Sequence, residues 1–296
     1  MDRGLSFQFV FPKWMHGFLR DVVGFQPLVD IKRAAEFASE RLVDRRRHME
    51  ALARGEKVDA IVNDNLQMLI DAVDPETGSR LTHDETVAEE LVIMFAGTDT
   101  SANTMTWTVD LLFQHPEVFA RLEAEILGAF PDPDERITYK AAKELLPYLD
   151  AVLLESMRLR TVAAAPLSRV VPSGGRDLAG YFFPADTVIS ASLHVMHNYS
   201  ALWDEPSRFW PERFLDGPAE VVAERRQQVM PFSIGVRSCI GRQLALVEVV
   251  VGLATMIQQF EIRPAQEPYQ PLEMHSVFVA SPKSKSLMAS IRPRRL

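Results

Sequence analysis

Cysteine is almost absent from this 296-residue chain: Cys239 stands alone. A disulfide within the chain is therefore impossible, and no Cys-rich zinc site can be assembled. Basic residues are in the minority, with 32 Lys and Arg against 40 Asp and Glu and a net charge of −8. Nucleic-acid binding needs clustered cations to neutralise phosphates, so that class of function is set aside. The one arginine run, Arg45-Arg46-Arg47, sits in a helical pattern and reads as a solvated face. Long apolar runs are missing too. The longest, around Leu91–Ala96 and Val249–Ile257, fall well short of a membrane span. Nor do the first residues have the form of a secretory signal, because Phe7–Phe11 is brief and gives way to Pro12 and Lys13. As written, the chain reads as intracellular and soluble, with no membrane anchor.

What is present suits a globular fold: 47% hydrophobic and 24% charged residues. No internal repeat is visible. Helical periodicity covers about Leu28–Leu52, with Ile31, Ala34, Ala35, Ala38 and Leu42 on one side, and again about Asp59–Val73. Thr82-His83-Asp84-Glu85 has the form of a capping box, in which the Thr hydroxyl and the Glu carboxylate satisfy opposite backbone amides. The helix it opens runs to about Gln114, where Pro116 stops it. Its middle, Leu91–Ala96, is apolar all round and is expected to be buried. Helices are expected at about Pro116–Ala129, Tyr139–Leu145 and Pro147–Arg160. Short β segments follow at Leu167–Val171, Leu178–Phe183 and Thr187–Ser190, then a last helix at about Gly241–Phe260 and a β-like tail. The fold class is mainly α with a small β-sheet region.

Three places carry chemistry. The first is Phe232-Ser233-Ile234-Gly235-Val236-Arg237-Ser238-Cys239-Ile240-Gly241, a glycine-bounded loop that feeds a helix. A thiol there feels the positive end of the helix dipole, with Arg237 and Arg242 near it, and the thiolate is favoured. Such a thiolate serves a metal or a nucleophilic attack equally well, although a lone Cys is usually an inert hydrophobe. The second is Ala96-Gly97-Thr98-Asp99-Thr100-Ser101 inside the long helix. Gly97 lets another surface approach the backbone, and Thr100 can turn its hydroxyl onto the Ala96 carbonyl. Asp99 beside Thr100 is either a proton relay to a buried site or a polar patch where the helix surfaces. The third is Glu155-Ser156-Met157-Arg158, whose i, i+3 pair lies on one helix face, with Arg213 of Pro211-Glu212-Arg213-Phe214 a further partner for a buried network. Of seven histidines only His194 and His197 lie close, and without a third ligand they read as ordinary core or surface residues.

Taken in order, these motifs resemble those of the cytochrome P450 family of haem–thiolate monooxygenases. The loop matches that family's Phe-x-x-Gly-x-Arg-x-Cys-x-Gly pattern at every fixed position. The likeness covers about Asp84 to the C-terminus, with the helices before it. It implies haem b with Cys239 as the axial thiolate on iron, and Arg237 and Arg169 on the haem propionates. It places Phe232 and Gly235 in the cysteine loop, and Ala96 and Gly97 over the distal face. Asp99 and Thr100 would deliver protons there, and Glu155, Arg158 and Arg213 would form a structural ion-pair triad. Substrate-facing positions would lie around Phe95, in Val162–Leu167, where Ala163, Ala164 and Ala165 leave room, and near Val277–Val279. The reaction implied inserts one oxygen atom of O₂ into a small organic substrate of specialised metabolism. Electrons would come from NADPH through NADPH–cytochrome P450 reductase, since no dinucleotide fingerprint occurs here.

Family members are much longer, and many sit in the endoplasmic-reticulum membrane. The resemblance therefore makes residues 1–296 a single but incomplete domain lacking the N-terminal part of the family fold. Residues 1–80 form peripheral helices, and 81–296 hold the long helix, the Glu-x-x-Arg helix, the small sheet and the haem-binding loop. Pro12, Trp14 and the helix from about Leu28 look like material from well inside that fold. Two alternatives accompany the monooxygenase reading: a truncated relative without catalysis, and a haem–thiolate isomerase of peroxides. The Asp99–Thr100 pair argues against the isomerase, which needs no proton relay to dioxygen.

Overall fold

The computed structural model describes residues 26–57, 63–276 and 279–294. Pro12, Trp14, the beginning of the expected Asp59–Val73 helix, and Val277 with Phe278 lie outside the described residues. The order of elements is α1 (Gln26–Ala53), α2 (Asn65–Asp71), α3 (His83–Gln114), α4 (Pro116–Ala129), α5 (Tyr139–Leu145) and α6 (Pro147–Leu159). Then come β1 (Leu167–Val170), β2 (Arg176–Leu178), β3 (Tyr181–Phe183), β4 (Val188–Ala191), α7 (Leu193–His197) and α8 (Ala219–Gln228). The chain ends with α9 (Arg242–Gln259), β5 (Phe260–Pro264), β6 (Met274–Ser276), β7 (Ala280–Pro282) and β8 (Ala289–Pro293). The strands pair antiparallel, β1 with β4, β2 with β3, β5 with β8 and β6 with β7. The chain gathers into two compact units, Met1–Thr98 and Asp99–Leu296, with the boundary inside α3.

In the first unit, the capping box forms. The Thr82 amide donates to Glu85 Oε2 at 2.8 Å, and the Glu85 amide donates to Thr82 Oγ1 at 3.3 Å. Arg45 differs from the expected solvated face. Its guanidinium grips Asp64 with two bonds, at 3.0 and 2.7 Å, and its side chain is only 16% exposed. Asp64 also caps α2 by accepting the Gln67 amide at 3.0 Å. Arg45 first, then that amide, holds the Asp64 carboxyl below the usual carboxylate range. The burial expected for Leu91–Ala96 is not met among the described residues: Val92 is 60% exposed and none of the six is fully buried. Apolar character all round a helix states what cover the segment requires, and here Ile93 and Met94 face a cavity of about 500 Å³ instead. Residues of α1 and α2 line it with them.

The second unit holds the main core. Leu122 and Ile126 of α4, Leu149 and Leu153 of α6 and Leu253 and Ile257 of α9 are all essentially inaccessible to solvent. Burying each such side chain contributes about 1.5–3 kcal/mol. Prolines at the first position open α4 and α6, where a missing N–H costs nothing. α6 has no cap of its own, and Glu125 of α4 reaches across to accept the amides of Tyr148 and Leu149 at 2.8 and 3.0 Å. The expected segment Leu178–Phe183 is instead a hairpin whose turn, Ala179-Gly180, takes φ of 51° and 84°. Positive φ at both turn residues matches the right-handed twist of the flanking strands.

Buried Asp110 fastens the loop after β5 onto α3. Its Oδ1 accepts the Tyr269 hydroxyl at 2.6 Å and the Leu272 amide at 3.0 Å, while Oδ2 accepts Gln114 Nε2 at 2.8 Å. Burial, then Asp110, pushes the Tyr269 hydroxyl upward, so it stays a donor. Asp110→Ala would strand three donors and should cost about 2–3 kcal/mol, read as a lower urea midpoint. Asp84→Ala, on the exposed first turn of α3, should cost less than about 1 kcal/mol.

Candidate active site

The cysteine loop is shaped by its main chain. Ser233 (φ 57°) and Gly235 (φ 74°) take left-handed conformations on either side of Ile234. A single 3₁₀ turn follows at Gly235–Arg237, where the Ser238 amide donates to the Gly235 carbonyl at 3.0 Å. The Cys239 amide then donates back to the Phe232 carbonyl at 2.9 Å and closes the loop. Cys239 is exposed and lies two residues before Gly241, the N-cap of α9. Ile234, Val236 and Ile240 are exposed beside it, Val236 and Ile240 completely. The Phe232 ring packs against the main core, and the Arg242 guanidinium stands 5.9 Å from its centre. Arg237 is exposed at the end of the turn. Arg169 is exposed on β1, opposite Ile189 of β4, with Nη1 on the Ser168 carbonyl at 2.9 Å.

Within α3 the polar step is built into unbroken helix. Asp99 and Thr100 are half-buried. Their carbonyls accept Asn103 Nδ2 at 2.7 Å and Thr104 Oγ1 at 2.8 Å. Thr98 Oγ1 bonds the Met94 carbonyl at 2.7 Å, and Thr106 and Thr108 bond back in the same i−4 manner. These side chains satisfy themselves along the helix and leave its ladder intact. A Cβ at Gly97 would meet nothing within 4 Å, so no described part of the protein makes the close approach its glycine permits, and Ala96 beside it is exposed. Ser101, next to Thr100, donates to Glu248 Oε2 of α9 at 2.6 Å. A Cβ on Gly252, one turn beyond Glu248, would stand 3.2 Å from the sulfur of Met105, one turn beyond Ser101. Those two contacts keep α3 and α9 in register. Residue spacing alone offers no sign of them.

The Glu155, Arg158 and Arg213 side chains come together with essentially no solvent contact. Arg158 Nε and Nη2 donate to the two Glu155 oxygens at 2.7 and 2.8 Å, and Arg213 Nε reaches Oε1 at 3.1 Å. Two cations share one anion, and main-chain carbonyls take up the rest. Arg158 reaches those of His197, Pro206 and Arg208, while Arg213 reaches those of Asp204 and Glu205. Burial lowers the Arg213 guanidinium from its usual range. Trp203 stacks over both arginines, at 5.0 and 5.9 Å.

His197 is fully buried one shell further out. Its Nε2 accepts the Met230 amide at 2.9 Å, so Nδ1 carries the proton and faces Thr161 Oγ1 at 2.9 Å. It is a buried, non-ligating histidine that pins the stretch of chain entering the cysteine loop, a role residue spacing does not show. Burial first, then Arg158 and His194, lowers it to about 4. Among the described residues no group of three His, Cys, Asp or Glu side chains could hold a metal ion. No described helix is long and apolar enough to cross a membrane.

Comparison with known proteins places this architecture. The cytochrome P450 family model matches residues 8–288, and the chain belongs to that family. A cytochrome P450 monooxygenase of Aspergillus fumigatus, helB1, is 34% identical over 78% of this chain and 38% of its own length. Averantin hydroxylase of Dothistroma septosporum is 31% identical over 90% of this chain and 48% of its own. The chain thus spans less than half the length of these curated relatives. A crystal structure of a cytochrome P450, 25% identical, superposes with a TM-score of 0.76 over 95% of this chain and 59% of that one. The cytochrome P450DA heme domain, at 23% identity and a TM-score of 0.78, shares the fold over 98% of this chain and 58% of that one.

Membership implies haem iron with a cysteine thiolate ligand, and the residues present fit it. The only sulfhydryl is exposed on a loop closed by main-chain hydrogen bonds, with exposed Ile234, Val236 and Ile240 close in sequence, apolar side chains that a macrocycle would cover. Arg237 and Arg169 offer exposed guanidinium forks of the kind that bind carboxylates.

His197 gives the site an acid limit. Its folded pKa lies below the unfolded value, so its contribution to stability is complete above about pH 6.5 and falls away as pH drops toward 4. The unfolding free energy, read from urea titrations, should therefore decline between pH 7 and 4, by up to about 3 kcal/mol from this residue. In His197→Gln, whose amide oxygen can still accept the Met230 N–H, that part of the decline should vanish.

Proposed function

We propose that this chain works as a haem–thiolate monooxygenase on a small organic substrate of specialised metabolism. The observation that carries this reading is the main-chain-locked loop that presents Cys239 to solvent amid Ile234, Val236 and Ile240. Fungal relatives, one named a cytochrome P450 monooxygenase and another averantin hydroxylase, support the substrate class. One oxygen atom of O₂ enters a substrate C–H bond and the other leaves as water. That balance consumes two electrons and two protons, supplied by NADPH and solvent through a separate NADPH–cytochrome P450 reductase.

When bound with a thiolate ligand, haem supplies an electron-rich iron that favours O–O cleavage. The chain's own residues set the conditions. Cys239 holds its sulfur in place through the hydrogen bond its amide donates to the Phe232 carbonyl, and Gly235 permits the turn that brings it there. Arg237 and Arg169 bind the propionates. Thr100 holds a proton at Oγ1 and Asp99 replenishes it from solvent. Ala163, Ala164 and Ala165, all half-buried, leave space for the substrate. Glu155, Arg158 and Arg213 keep the proximal side assembled and take no part in the chemistry.

The chain reconstituted with haem, reduced and exposed to carbon monoxide should show the strongly red-shifted Soret band of thiolate ligation, and Cys239→Ser should abolish it. Thr100→Ala should keep the band while diverting NADPH electrons to hydrogen peroxide. Turnover of a lipid hydroperoxide without NADPH and reductase, with no oxygen insertion in their presence, would overturn the reading in favour of an isomerase.

A further inference from the structure

Trp107 lies seven residues after Thr100 on α3, so the two occupy nearly one helix face, about 10 Å apart along the axis. Its ring is 1% exposed, and its indole N–H donates to the Ala280 carbonyl of β7 at 3.1 Å. Ala280 is itself fully buried, and its amide donates to the Val162 carbonyl at 2.8 Å. The two main-chain groups of one alanine thus tie α3 to β7 and β7 to the chain leaving α6. The Arg160 guanidinium, at the C-cap of α6, stands 5.6 Å from the Trp107 ring centre and closes the other side. Bulk alone would be met by Phe or Leu. A buried indole needs an acceptor, and what it holds here is backbone from two distant parts of the chain.

Val162–Leu167, whose first carbonyl receives the Ala280 amide, is the stretch assigned above to the substrate. We infer that Trp107 is a positioning residue for the substrate pocket: through Ala280 it holds Val162–Leu167 at a set distance from the helix face that carries Thr100. This rests on the monooxygenase reading for the pocket and on the hydrogen bonds alone for the tether.

Two measurements test it separately. In the haem-free chain, Trp107→Phe should speed hydrogen exchange about tenfold at Ala280 and across the segment after Thr161, while α9 from Val249 to Ile257 stays protected. Unchanged exchange at both segments would overturn the tether. In the haem-loaded chain, econazole, bulky enough to reach Val162–Leu167, should bind Trp107→Phe about tenfold more weakly by difference spectrum. Imidazole, which occupies only the iron position, should bind as before. Equal weakening of both probes, or of neither, would overturn the positioning role. Should Trp107→Phe fold poorly, Trp107→3-benzothienylalanine keeps the ring and removes only the N–H. Wild-type affinity for econazole in that variant would also overturn the role. A wild-type chain lacking the haem–thiolate band fails the monooxygenase reading and the pocket role with it, whereas the exchange result still judges the tether.

Discussion

The second compact unit depends on one buried carboxylate. Glu155 takes three charged bonds from Arg158 and Arg213 and also accepts the Trp210 amide at 3.0 Å. Two guanidiniums cannot stay in an apolar interior with one anion between them unless their remaining N–H groups are satisfied. They find carbonyls at His197, the last residue of α7, and at Asp204, Glu205, Pro206 and Arg208 in the irregular stretch after it. An irregular segment that cannot satisfy itself by a helix or sheet ladder is thus ordered by charges on α6 and on the 3₁₀ turn at Pro211–Phe214. Trp203, Phe214, Ala151 and Val229 form a small separate core on the flank of that network.

Order passes from there to the cysteine. Arg158 bonds the carbonyl of His197, the His197 ring bonds the amide of Met230, and Met230 opens the run that reaches Cys239. A further grip comes from Phe232, which packs on the main core while its carbonyl receives the Cys239 amide. The sulfur is therefore located through buried groups on α6 and α7, although it stands in solvent. Depth in one part of the unit is converted into rigidity at its surface.

Much of this was legible beforehand, wherever the signal is local. Pro116 and Pro147 mark their helix starts because a ring without an N–H is tolerated only at the first turn. Thr82 and Glu85 announce α3 because their reciprocal bonds span three residues. The Glu155–Arg158 pair and the cysteine loop were readable as motifs for the same reason. Where the outcome depends on what lies across the fold, sequence falls short. Leu91–Ala96 showed a need for cover that α1 and α2 do not complete among the described residues. Arg45 looked solvated because nothing near it in sequence reveals Asp64 as its partner. The pinning role of His197 hangs on Met230, and Trp107 meets Ala280 across 173 positions, a distance that no periodicity encodes.

The loop from Phe232 to Cys239 is closed by bonds between main-chain atoms, with left-handed turns at Ser233 and Gly235 doing the bending. Side chains at Ile234, Val236 and Ile240 contribute nothing to that closure and project outward. The mount and its upholstery are therefore separable. Exchanging those three residues would alter polarity, bulk and dielectric around the sulfur while leaving its coordinates alone. Chemistry at this position can be retuned without rebuilding the frame that holds it.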